Sequence, residues 1–240
     1  MMDELESAGR YSIVPNSLGY CGGSDFSKVF KRYREGKSTK SEMRQALKRF
    51  KSLYAYLKTI AKANKKNPFD RNVLEAFWIG NDLLTNVTAG SIRKLILRDL
   101  VAAGMDKKRA QSAADKLPEG ILLHHSFNSI YLNFVGNKVK RTTTNFDKCR
   151  IGWGKVVSIS KNSCILKYPP VKRNKVGYRL GVYITRRFSR HVCGVLLEPN
   201  IHIGDIVSTH WGAVVQKLNR KLLYSLKKFT NINLCHTKTI

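Results

Sequence analysis

Through the first half of the chain, apolar residues recur at three- and four-residue spacing. Phe26, Val29, Phe30 and Tyr33 predict a short helix over 26–33. Met43, Leu47, Phe50, Tyr54, Leu57 and Ala61 continue the spacing, with Arg44, Lys48, Lys51, Lys58 and Lys62 mostly off the stripe. That pattern predicts one amphipathic helix over 43–61, about five to six turns long. Pro68 and Asp70 open a further helix through Val73, Leu74, Phe77, Trp78 and Leu84. Segments 92–103, stopped by Gly104, and 106–116, stopped before Pro118, complete the helical set. The stretch 120–135 fits a helix or a strand.

Near residue 140 the pattern changes. Residues 138–145 are polar and charged, as a linker would be. Beyond them valine, isoleucine and tyrosine alternate with polar residues over 155–159, 163–168 and 181–185, punctuated by Pro169, Pro170 and Pro199. Several short strands in so small a space predict an OB-like β-barrel. Leu222, Leu223, Leu226 and Phe229 share one side of a closing helix over 219–230. The expectation is an α+β protein: a helical N-terminal domain over 1–140, then a barrel domain with its terminal helix over 147–232.

The 44 basic residues against 16 acidic give a net charge of +28. Such a field attracts polyanions through counterion release. Each block of fifty residues up to 200 carries nine or ten Lys and Arg, whereas beyond Arg150 only Glu198 and Asp205 are acidic. Basic residues spread so evenly point to a solvated surface and nonspecific nucleic-acid binding more than to a dedicated groove. The five cysteines are scattered, with no Cys-x-x-Cys, which argues against both a four-cysteine zinc site and a disulfide framework. No run of eighteen apolar residues occurs, and the acidic opening Met-Met-Asp-Glu-Leu-Glu is unlike a secretory signal. The expectation is a soluble cytoplasmic protein with no membrane partner.

The residues with the clearest chemical content are Cys149 and His210. Cys149 opens the segment Cys149-Arg-Ile-Gly-Trp-Gly154-Lys-Val-Val157, and His210 closes Gly204-Asp205-Ile-Val207-Ser-Thr-His210. A thiolate and an imidazole on neighbouring strands can hold a transition metal while leaving coordination positions open, and soft sulfur suits low-valent iron. Lys148 and Arg150 flank Cys149, which predicts a thiolate favoured by nearby positive charge. Ser208 and His210 are expected on one strand face, Val207 and Thr209 on the other. Taken singly, each residue is equally at home in a core, the cysteine as a small hydrophobe and the histidine with its nitrogens satisfied. Cys21, in a glycine-rich turn, and His124 or His125 are further candidates. The two histidines are adjacent, so their side chains diverge and at most one joins a site. No phosphate loop, nucleophile elbow or paired carboxylates occur, which points to a carrier rather than an enzyme.

These two segments resemble the HypC/HupF family of hydrogenase maturation chaperones, which carry a cysteine, four residues, a glycine and a Lys-Val-Val-like strand, then a Gly-Asp-x-Val-x-x-His-x-Gly segment before a terminal helix. The resemblance covers about a third of the chain, roughly 149–230, with Gly154, Gly204 and Asp205 matching the motif positions. It implies that Cys149 and His210 hold iron carrying cyanide and carbon monoxide. It also implies as partners an iron–sulfur maturation protein and a nickel–iron hydrogenase large subunit. In that family the cysteine becomes the first residue and a proline is usual where Trp153 stands here. The whole chain further resembles an uncharacterised prokaryotic, hydrogenase-associated family with a helical N-terminal domain, through 19–22, 75–84 and His124-His-Ser-Phe127. The alternative of a different class is a basic RNA- or DNA-binding protein using the barrel as its platform. It requires Trp153, Tyr168, Tyr178, Tyr183 and Trp211 to face outward beside Arg179, Arg186 and Arg187.

Overall fold

Local signals start most of the helices. Asp3 accepts from the N–H groups of Leu5 and Glu6, Thr39 and Glu42 form a reciprocal capping box, and Asp70, Asp106, Thr142 and Asn219 each cap a first turn. The computed structural model describes residues 3–239. Its helices are α1 (Glu4–Ser17), α2 (Phe26–Arg34), α3 (Lys40–Lys48), α4 (Lys51–Ala63), α5 (Arg71–Trp78), α6 (Ala89–Lys94), α7 (Lys107–Asp115), α8 (Thr143–Cys149) and α9 (Arg220–Cys235). Its strands are β1 (Gly152–Ile159), β2 (Ser163–Tyr168), β3 (Val171–Asn174), β4 (Gly177–Leu180), β5 (Ile184–Ser189), β6 (His191–Val192), β7 (Val195–Leu196), β8 (Ile206–His210) and β9 (Ala213–Lys217). Helices come first, the sheet follows and a helix closes the chain, an α+β architecture. Among the described residues no helix is long and apolar enough to cross a membrane.

Three details depart from the sequence reading. The long helix expected over 43–61 is two, α3 and α4, broken at Arg49 and Phe50. The apolar spacing survives the break because both helices face one core, where Phe50 meets Phe26 edge-on at 4.6 Å between ring centres. The polar stretch read as a linker contains the start of α8, capped by Thr142. The third is α1, which carries no periodic signal. Its residues from Ala8 to Val14 are all buried, so no polar face marks it as a helix, and Pro15 sits in its last turn. Gly9 is required there, since a Cβ would stand 2.3 Å from Phe30.

Five strands hydrogen-bond in the order β1-β2-β5-β9-β8, and β8 returns to β1. Every pairing is antiparallel except β5 with β9, a single parallel bridge at Ser189 and Ala213. Val156, Leu166, Phe188, Val207 and Val214 fill the interior of this ring. Gly154 lets β1 approach β2, since a Cβ would lie 2.9 Å from that of Leu166. Gly204 takes φ +95 in the turn before β8, and Asp205 accepts from the His202 N–H and pairs with Lys217 at 2.8 Å. These three motif residues therefore shape the β8 hairpin and its neighbour strand. The helical part and the sheet share one apolar cluster, which includes Leu5, Phe77 and Leu123 together with Trp153, Val215 and Phe229. That shared core presses α1 against the end of the sheet that carries Cys149 and His210.

Candidate metal centre

Cys149 is the last residue of α8, three before β1, and His210 ends β8. The antiparallel register pairs Gly152 with Thr209 and Trp153 with Ser208, so continuing it brings the two ends together. Gly152 permits this closeness, because a Cβ would meet Thr209 Oγ1 and Tyr168 at 2.6 Å. The Trp211 N–H donates to the Lys148 carbonyl at 2.6 Å and clamps the strand end onto α8.

A second clamp holds the other side of α8. Asp147 and Arg150 are both buried, and their side chains pair. Asp147 also accepts from the Tyr168 hydroxyl, from the Val171 N–H and from Arg186. Arg150 donates to the Pro169 carbonyl and lies 5.2 Å from the ring centres of both Trp153 and Tyr168. The guanidinium is thus committed away from the thiol. Burial, and after it the Cys21 thiol, push the Cys149 thiol well above its ordinary range, and the Trp211 indole N–H offsets this only in part. The expectation that flanking positive charge favours a thiolate is corrected accordingly: a bound cation would have to displace the proton.

His125, from the segment leading into a single π-helical turn at Phe127–Tyr131, completes the cluster. One donor atom from each of His125, Cys149 and His210 lies within 4.8 Å of the others, and all three residues are buried. Cys149 Sγ and His125 Nε2 are 3.8 Å apart. Metal–sulfur and metal–nitrogen bonds of about 2.3 and 2.0–2.1 Å in a tetrahedral site separate two donors by roughly 3.5 Å. The set therefore fits a metal ion with a small inward movement.

The histidines are prepared differently. His210 Nδ1 donates to the Tyr11 carbonyl at 2.8 Å, while its Nε2 is buried with no hydrogen-bond partner among the described residues. A carbonyl on one ring nitrogen and a free lone pair on the other is the usual arrangement of a metal-ligating histidine. Ser208 joins its hydroxyl to that of Tyr11 at 2.8 Å, so the two residues expected on one strand face both meet the same α1 side chain or backbone. His125 Nε2 donates to the Cys149 carbonyl at 2.9 Å, and its Nδ1 has no partner. To ligate through Nε2 it must shift its proton to Nδ1. Burial lowers His210 to about 4 and holds His125 well below its ordinary value, helped by the neighbouring imidazoles, so both rings are neutral. Trp78 packs on both rings, 4.8 Å from His125 and 5.8 Å from His210 between centres, and stacks on Tyr11 at 4.9 Å.

His124 points elsewhere. It bonds Ser126 at 2.8 Å and the Trp78 carbonyl at 3.2 Å, faces Phe229, and is a satisfied core histidine. Cys21 is exposed and stands outside the cluster, yet it lines the same cavity of about 480 Å³ that reaches Cys149, His125 and His210. Sequence reasoning placed Trp78 on the apolar side of its helix without linking it to the site, and missed Tyr11 altogether. Nothing in the pattern around Tyr11 could have singled it out, because α1 carries no period.

A family model, DUF6390, described as a family of unknown function, matches residues 5–240. The chain belongs to that family. No curated protein and no solved structure matches it. The match spans the helical part and the sheet together, so the shared core and the cluster at its centre fall within one family unit.

Proposed function

We propose that this protein is a metal carrier or assembly scaffold that holds one iron ion on Cys149, His210 and His125 during nickel–iron hydrogenase maturation. The observation that carries the reading is the convergence of those three buried donors within 4.8 Å. One sulfur and two imidazoles form a donor set of intermediate softness, suited to a divalent transition ion. Three protein ligands leave a position open, in contrast to the closed four-ligand sets of structural sites. Such a site can accept a ligand or a partner's donor and can hand its ion on. Loading releases the Cys149 thiol proton, so retention weakens as pH falls. The hydrogenase setting, the cyanide and carbonyl ligands and the maturation partners are what the HypC/HupF resemblance implies.

Burial of the aromatic faces weighs against the nucleic-acid alternative. Trp153 and Tyr168 are buried, Tyr178 and Trp211 are half-buried and Tyr183 is exposed, while Arg186 is tied to Asp147 at 3.0 Å. That reading then rests on one exposed aromatic, Tyr183, and on net charge, which gives weak, salt-sensitive binding.

The test is anaerobic purification of the protein and of the Cys149→Ala, His210→Ala and His125→Ala variants, with metal analysis and infrared spectroscopy. The expected result is about one iron per chain, lost in each variant, with cyanide and carbonyl stretching bands in the parent. Unchanged iron in all three variants would sink the site. Iron without those bands would retain the carrier and remove the hydrogenase setting.

A further inference from the structure

The cavity that ends on Cys149 and His210 is far larger than an ion needs. At about 480 Å³ it falls in the roughly 300–1,000 Å³ range of small-molecule sites. Its inner walls are apolar, with Phe50, Leu53, Phe77, Phe134 and Val135 among the lining residues. Its mouth is cationic: Arg49, Lys51 and Lys138 line it, and no Asp or Glu does. Arg49 is paired with Asp25 at 2.8 Å and Lys138 donates to the Gly19 carbonyl. Lys51 has no carboxylate partner among the described residues, and it is the first residue of α4.

The start of α4 adds a second attraction for negative charge. Phe50 precedes this 13-residue helix and supplies no side-chain cap, and its first turn holds no acidic residue. Phe50, Lys51, Ser52 and Leu53 all line the cavity, so the unsatisfied N–H groups of that turn and the positive end of the helix dipole lie at its mouth. Deeper in, four lining residues carry polar atoms that are buried without a hydrogen-bond partner among the described residues: His210 Nε2, His125 Nδ1, Trp78 Nε1 and Ser12 Oγ. A solute or its companion water entering the cavity would satisfy them.

We propose that this cavity binds a small amphiphilic organic monoanion, a medium-chain monocarboxylate in chemical class. Its charged head sits at the uncapped start of α4 beside Lys51, and its apolar body lies against Phe50, Leu53 and Phe134. The +28 field steers such anions toward the protein without choosing the site. Selection comes from the conjunction of an apolar interior with a single cationic end. The proposal stands whether or not the cluster at the cavity floor carries a metal.

The test is calorimetric titration of the full chain at physiological salt with octanoate, 1-octanol and butyrate. Emission from Trp78 and Trp211, which line the cavity, is followed in parallel. Octanoate is expected to bind once per chain and saturably. Each methylene contributes about fourfold in affinity when fully buried, so butyrate is expected to bind at least about tenfold more weakly. Octanol, which lacks the charge, is expected to bind several-fold more weakly than octanoate. Lys51→Glu, an exposed position, is expected to weaken octanoate about tenfold and to leave octanol unchanged. Octanol binding as tightly as octanoate overturns the anion class. Non-saturating uptake of many octanoates, or no effect of Lys51→Glu, shows general attraction to a basic surface and overturns the site.

Discussion

Acidification should unfold this protein through its buried histidines. Burial lowers His124 and His210 from 6.5 to about 4 each, and His125 further. An unfolded chain protonates these rings near 6.5, whereas the folded chain excludes the proton until far lower pH. Between those values the unfolded state binds more protons, so stability falls as pH drops through 6.5 and the loss is complete only below the folded value. A shift of about 2.5 units corresponds to about 3 kcal/mol per histidine, of which about 2 kcal/mol is already lost at pH 5. His124 and His210 together should then remove about 4 kcal/mol by pH 5, a large share of a typical domain's stability. The assay is urea denaturation at pH 7.5, 6.0 and 5.0, with His124→Gln as the comparison. His124→Gln should flatten the slope. A metal ion bound by Cys149 and by neutral His125 and His210 should steepen the slope, because the loaded folded state carries fewer protons and its retention weakens as pH falls. Stability that stays level from pH 7.5 to 5.0 in the parent protein would refute the burial argument.

Three further outcomes follow from the packing. Asp147→Ala leaves the fully buried Arg150 without its carboxylate and should cost about 3–5 kcal/mol in chemical denaturation, with loss of metal retention because α8 no longer holds Cys149. Gly154→Ala should cost about 1–3 kcal/mol, since the new methyl meets Leu166 and the Lys167 carbonyl, and a melt indistinguishable from the parent would contradict the β1–β2 approach. Cys21→Ser should leave metal stoichiometry unchanged, because Cys21 stands outside the cluster; metal analysis showing a lost equivalent would make it a ligand.

Much of this was legible in the chain, and the gaps have physical causes. Cys149 and His210 stood out because glycines and β-branched residues around them mark two strands, and those strands pair as neighbours. His125 could be named beside His124 but not distinguished from it, since the choice depends on which ring the core turns toward Trp78 and which toward Phe229. The break between α3 and α4 was hidden because both keep the same apolar stripe. α1 left no trace because a helix buried on all sides has no polar face, and it is this helix that supplies the Tyr11 carbonyl to His210. The fate of Arg150 was equally out of reach: adjacency to Cys149 suggested charge at the thiol, whereas the guanidinium turns to Asp147 and Pro169.

X-ray absorption at the metal edge of the protein loaded with one equivalent of zinc, as a spectroscopic stand-in, reads the donor set directly. With Cys149, His125 and His210 as ligands, it should show one sulfur at about 2.3 Å and two imidazole nitrogens at about 2.0–2.1 Å. The sulfur shell should vanish in Cys149→Ala and one imidazole should vanish in His210→Ala. A shell of nitrogen and oxygen alone, unchanged by either substitution, would mean that the ion sits elsewhere and that the cluster is packing rather than a metal site.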